Sequence, residues 1–88
     1  MSKVNYALST EVFIIDAIER YRLKNKEMSP KKVNISPIVF KTLINELKNR
    51  ETIMKDSNTL ILIGVEVYSC GYAKYPYMVC HDNTVQFL

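Results

Sequence analysis

The spacing of apolar residues divides the chain into two helical stretches followed by a strand-rich final third. Ile14, Ile18 and Tyr21 recur three and four apart, with Val12 and Ile15 widening the stripe, which predicts an amphipathic helix. Its start is marked by Ser9 or Thr10, whose hydroxyls cap free backbone N–H groups, and by Glu11, an acid where the helix dipole favours one. Asp16 precedes Arg20 by four residues, the favourable order for a surface ion pair. The stripe fades after Leu23 and Pro30 forbids continuation; the pattern leaves open whether the helix reaches back to Val4. Val33 and Ile35 then alternate with polar neighbours, so Lys32–Ile35 reads as a short extra strand. Ser36-Pro37 is the strongest local signal. Serine is a preferred N-cap, and proline at the first helical position has no N–H to leave unpaired. Phe40, Leu43, Ile44 and Leu47 fall at i, i+3, i+4 and i+7, and Met54, seven past Leu47, extends the stripe toward Asp56-Ser57-Asn58, which end it.

Beyond residue 58 the period changes to two. Thr59–Ile63 is a largely β-branched apolar run, Gly64 marks a bulge or bend, and Val65-Glu66-Val67-Tyr68 alternates. A second strand is expected over Tyr75–His81 and a third over Thr84–Phe87. Asp82-Asn83 supplies a two-residue hairpin turn between them, because both residues tolerate positive φ. That turn sets Cys80 opposite Val85 and Met78 opposite Phe87, with these four on one apolar face. His81, Thr84 and Gln86 then fall on the other face, with Val79. Strands 65–70 and 75–80 are expected to pair through the Gly71–Lys74 loop. The expected fold is α+β, a single domain over residues 1–88, with two helices on one face of a small three-stranded antiparallel sheet and an extra short strand at 32–35.

Length supports this economy: 88 residues can form one hydrophobic core and not two, and a chain so short leaves homodimerisation open. No signal-peptide pattern follows Met1, and the apolar runs Val12–Ile15 and Leu60–Ile63 are far below the roughly 20 residues that span a bilayer. The expectation is a cytoplasmic protein with no membrane association. The formal net charge is +3, and its distribution matters more. Arg20, Arg22, Lys24, Lys26, Lys31 and Lys32 lie in one window, opposed only by Glu27, and outside it acids slightly outnumber bases. Such a window can attract phosphates. It is also what a solvated helix end and loop look like, the more ordinary reading, since cations complement the helix C-terminus.

Candidate chemistry is sparse. With strands 65–70 and 75–80 paired, Cys70 and Cys80 stand on the order of 15 Å apart along the sheet, whereas a disulfide needs Cα atoms within about 7 Å. A single histidine, His81, and the absence of CxxC spacing argue against a metal site. Cys80 and His81 are adjacent on a strand and point to opposite faces, which argues against a catalytic pair. With Gly64 and Gly71 the only glycines, no phosphate-cradling loop exists. No catalytic, cofactor or metal residues are assigned, and an enzyme is not expected.

The tyrosines carry more information. Tyr68, Tyr72, Tyr75 and Tyr77 crowd one stretch together with Lys74 and Pro76. Alternation puts Tyr75 and Tyr77 opposite Met78 and Cys80; if Met78 meets the helices, these two rings face outward. Tyrosine suits interfaces because it joins apolar area to a hydrogen-bonding tip. Aromatic packing that merely stiffens a hairpin accounts for the same pattern. Pro76 cannot donate to a ladder and marks an edge-like or irregular stretch.

The stretches Asn34-Ile35-Ser36-Pro37-Ile38-Val39-Phe40-Lys41-Thr42-Leu43 and Leu62-Ile63-Gly64-Val65-Glu66-Val67-Tyr68-Ser69 resemble a layout met in small tailed-phage and prophage proteins of Gram-positive bacteria. There a Ser/Pro-started helix with a leucine stripe precedes a glycine-interrupted strand and a last hairpin. The resemblance covers about half of the chain, its motifs are generic to α+β packing, and no residue role carries over. It implies a protein that acts by binding, in virion assembly or against a host factor or defence system, in the host cytoplasm. The leading expectation is thus a non-catalytic protein-binding module contacting its partner through Tyr68, Tyr72, Lys74, Tyr75 and Tyr77. The alternative is a nucleic-acid binder using the basic 20–32 window.

Overall fold

The pairing of strands, more than the helices, decides where the exposed aromatic residues lie. The structure is a computed structural model that describes residues 9–47 and 53–88. Its elements are α1 (Thr10–Lys24), β1 (Lys32–Ile35), α2 (Pro37–Leu47), β2 (Ile53–Asp56), β3 (Thr59–Leu62), β4 (Val65–Ser69), β5 (Tyr77–Val79) and β6 (Val85–Phe87). The fold is α+β, as expected. The sheet is mixed and six-stranded, in the order β2-β3-β4-β1-β5-β6, where three antiparallel strands were expected.

Both helices begin where the capping residues place them. Ser9 Oγ accepts from the Val12 N–H at 3.1 Å, and Ser36 Oγ accepts from the Val39 N–H at 3.3 Å. A second cap joins the helices: the Glu46 carboxylate of α2 accepts the Thr10 and Glu11 N–H groups at 3.0 and 2.8 Å. These are N–H groups that no earlier turn of α1 can satisfy, and a negative charge is favoured there. Ser9 itself is extended, so α1 starts at Thr10 and does not run back through it; residues 1–8, Val4 among them, lie outside the described residues.

Three expectations about the strands are corrected. Met54 belongs to β2 and not to the helical stripe of α2; β2 turns through Ser57 and Asn58 into β3. Gly64 is no bulge within one strand. Ile63 and Gly64 both have positive φ, +41° and +83°, and form the two-residue turn that separates β3 from β4. Strands β4 and β5 do not pair with each other. β1 lies between them, parallel to β4 and antiparallel to β5. β5 is therefore an interior strand that starts just after Pro76, whose carbonyl accepts the Leu88 N–H at 3.1 Å.

The last hairpin also departs from the expected register. Its loop has three residues, 81–83, with Asn83 at φ +73°; the Cys80 N–H donates to the Thr84 carbonyl at 2.7 Å. One additional loop residue shifts every pairing by one: Tyr77 faces Phe87, Met78 faces Gln86 and Val79 faces Val85. Since side chains alternate with period two, the slip carries Val85 and Phe87 to the side opposite Met78. The two-residue turn over Asp82-Asn83 and the apolar face shared by Met78, Cys80, Val85 and Phe87 are thus incorrect.

One face of the sheet is buried under the helices. Ile14, Ile18 and Tyr21 of α1 and Phe40, Leu43 and Leu47 of α2 close over Val33, Ile35, Leu60, Leu62, Val65, Val67, Met78 and Cys80 as one cluster. Tyr21 brings its hydroxyl into this cluster, where it accepts the His81 N–H at 2.8 Å and hydrogen-bonds His81 Nδ1. Burial pushes the Tyr21 phenol up from its ordinary pKa. No helix among the described residues is long and apolar enough to cross a membrane.

Candidate binding face

Strand register writes two rows of side chains across the face that the helices leave uncovered. The first is Thr59, Tyr68, Asn34, Tyr77 and Phe87, one from each of β3, β4, β1, β5 and β6. The second is Ile61, Glu66, Lys32, Val79 and Val85 on the same five strands. Asn34 is buried between the two tyrosines that pair with it on either side. Tyr77 meets Phe87 edge to face, ring centroids 6.3 Å apart.

The rows differ in character from one side of the sheet to the other. Toward β3, Glu66 accepts hydrogen bonds from Lys55 and, at 2.5 Å, from the Tyr68 hydroxyl. Lys55 first, then Tyr68, holds the Glu66 carboxyl below its usual range, and the same bond to Glu66 raises the Tyr68 phenol. The Lys32 ammonium lies 4.9 Å from the Tyr68 ring centroid, a cation–π contact. Toward β6, Tyr77, Val79, Val85 and Phe87 carry no charge. Val85 and Phe87 are 58% and 66% exposed.

Of the residues expected to bind a partner, Tyr68 and Tyr77 therefore share one row, separated by Asn34. Tyr72, Lys74 and Tyr75 occupy the loop between β4 and β5, where Tyr72 is 98% exposed and the Lys74 ammonium lies 5.8 Å from the Tyr75 ring centroid. Reasoning from sequence missed Phe87, Val85 and Asn34. For the first two the available signal was Asn83, a residue type that favours the left-handed position of a three-residue hairpin loop.

The basic window is not gathered into one patch. Arg20 pairs with Asp16 at 2.5 Å. Arg22 donates to Ser29 Oγ at 2.9 Å and to the Ile63 carbonyl at 2.7 Å, which ties the end of α1 to the β3–β4 turn. Lys31 donates to Asn83 Oδ1 at 2.5 Å, and Lys32 stands on the open sheet face. Lys24 and Lys26 are exposed at the end of α1 and in the turn after it.

The thiols of Cys70 and Cys80 are free. Cys70 follows β4, its N–H donating to Ile35 at one end of β1, while Cys80 follows β5 near Lys31 at the other. Among the described residues no three His, Cys, Asp or Glu side chains are grouped to hold a metal ion. Comparison with protein-family models, with curated proteins and with solved structures returns no match.

Proposed function

We propose that this chain is a non-catalytic protein-binding module whose partner docks on the uncovered sheet face, centred on Tyr77, Val79, Val85 and Phe87. The observation that carries this reading is the uncharged, aromatic β5–β6 flank, left open on a sheet whose opposite face is sealed by both helices. Large apolar side chains that join a contiguous exposed surface mark interaction sites more than singly scattered ones do. Tyr77 and Phe87 supply rigid rings, and Tyr68, with Lys32 and Glu66, supplies the polar margin typical of an interface. A binding role against a host or virion protein agrees with the resemblance to small phage proteins.

The test is a double variant, Tyr77→Ala with Phe87→Ala, used as bait in a lysate of the native cell beside the parent protein. The expected result is that a partner held by the parent is lost while the far-ultraviolet spectrum is unchanged. Undiminished capture by the double variant removes the proposed face.

A nucleic-acid reading draws on one observation, the Lys32 ammonium over Tyr68 in a row with Tyr77 and Phe87, since aromatic sheet faces flanked by cations stack single-stranded bases. It predicts binding of a single-stranded oligonucleotide that weakens steeply with salt.

A further inference from the structure

The two outer strands of the sheet are built differently. β2 carries Lys55 and Asp56, and its pairing with β3 is broken by a register shift between Met54 and Asp56. Charges and bulges are devices that prevent an outer strand from accepting another. β6 has neither: it reads Val85-Gln86-Phe87, pairs in unbroken register, and all three residues are exposed. Its backbone also has free groups on the correct side. The Cys80 N–H donates to Thr84 and the Leu88 N–H to Pro76, so positions 84, 86 and 88 turn toward β5. Alternation directs the N–H and C=O of Val85 and Phe87 away from the sheet.

Beside this strand, on the helix side, is a cleft of about 160 Å³ between α1 and β6. Ala17, Met78, Phe87 and Leu88 provide apolar lining, Gln86 an amide, and Arg20 and Lys24 two cations; among the described residues no acid lines it. Arg20 is shared with Asp16.

We propose that β6 accepts a further strand, and that its occupant is an extended partner segment in which apolar and acidic residues alternate. The inference rests on the protein-binding reading above and names the partner's chemistry. Backbone pairing to Val85 and Phe87 fixes the segment as an added strand. Its side chains then point alternately to the two sides of the sheet. Those on the open side lie beside Val85 and Phe87 and are apolar. Those on the helix side enter the cleft, where carboxylates meet Lys24 and Arg20. A strand of three residues is too short to hold a globular second copy on its own, because stable interfaces bury on the order of 1,200–2,000 Å². It suits a flexible segment.

The probes are two short blocked peptides, one alternating valine with glutamate and one alternating valine with lysine, titrated into isotopically labelled protein. With the glutamate peptide, the Val85 and Phe87 amide resonances are expected to shift and their hydrogen exchange to slow. The lysine peptide is expected to bind at least about tenfold more weakly. Lys24→Glu should reverse that preference. Val85→Pro, which removes an outward N–H at a position where an outer strand tolerates proline, should abolish binding. A glutamate peptide methylated on alternate backbone nitrogens should fail to bind the unaltered protein, which makes the same point without altering the fold. Equal affinity for both peptides, binding to Val85→Pro, or no binding at millimolar peptide overturns the inference. So does a dimer in sedimentation that Val85→Pro dissolves, because the strand's occupant is then a second copy. If Val85→Pro retains a lysate partner that Tyr77→Ala with Phe87→Ala loses, strand addition fails while the protein-binding reading stands. If both variants retain it, the reading itself fails.

Discussion

The two sides of β5 differ as much as any two regions of the molecule. Met78, pointing to the helices, is 1% exposed, lies opposite Val33 of β1 and belongs to the same core cluster as Ile14, Ile18 and Tyr21 of α1. Tyr77 and Val79, its immediate neighbours, face outward and continue into Val85 and Phe87, which are open to solvent. The same three-residue strand thus has one side whose composition is set by stability and another that the fold scarcely constrains. A contiguous exposed apolar patch, unlike a single exposed ring, calls for an explanation beyond the core, and binding provides one.

Substitutions on the two sides should separate accordingly. Met78→Ala removes a fully buried side chain and should cost about 2–5 kcal/mol, read as a fall in the denaturant midpoint. An equal loss from Phe87→Ala would erase the contrast. The orientation of β6 depends on Asn83 in the left-handed region. Asn83→Val should cost about 1–3 kcal/mol, because a β-branched residue resists that conformation, whereas Asn83→Gly should be nearly neutral; thermal unfolding distinguishes them. On the covered side, Glu46→Ala should cost about 0.5–2 kcal/mol and release the Thr10 and Glu11 amides to faster hydrogen exchange. Phe87→Ser should cost about 0.5–1.5 kcal/mol, the worth of its edge-to-face contact with Tyr77, while weakening partner binding.

The smallest effect is that of pH. Glu66 and Asp82 both have lowered carboxyl pKa values, Glu66 through Lys55 and Tyr68, and Asp82 through the Thr84 hydroxyl and N–H. Their contribution is present above the ordinary carboxylate range and is lost as pH falls through the lowered folded-state values. Asp82 is exposed and Glu66 only half-buried at the sheet surface, so the acid-side decline should be slight and diminished by salt, as an acid titration of the unfolding midpoint will show.

Features determined by local chemistry were legible in the sequence. Ser9 and Ser36-Pro37 placed the helix starts, Val33 and Ile35 marked β1, and alternation placed Tyr77 opposite Met78. Features determined by distant contacts were not. Nothing in Lys32–Ile35 signals that it parts β4 from β5, because that choice is made by which apolar faces fit beneath the helices. Glu46 caps a helix that begins 36 positions earlier in the chain, a partnership with no periodic signature. The apolar stripe reached Met54 because a single methionine at the right interval looks the same in a helix as in a strand. For the candidate face, two tyrosines were readable and Phe87 was not, since its side depended on one residue of loop length.

β1 is the seam between two locally formed units, the β3–β4 hairpin on one flank and the β5–β6 hairpin on the other. Each hairpin joins strands close in the chain, but β1 must find β4 across some thirty residues and β5 across more than forty. Chain closure over such spans is slow compared with turn formation. The expected order of assembly is therefore the two wings first and their joining to β1 last, and the row through Tyr68, Asn34 and Tyr77 is complete only when both are joined.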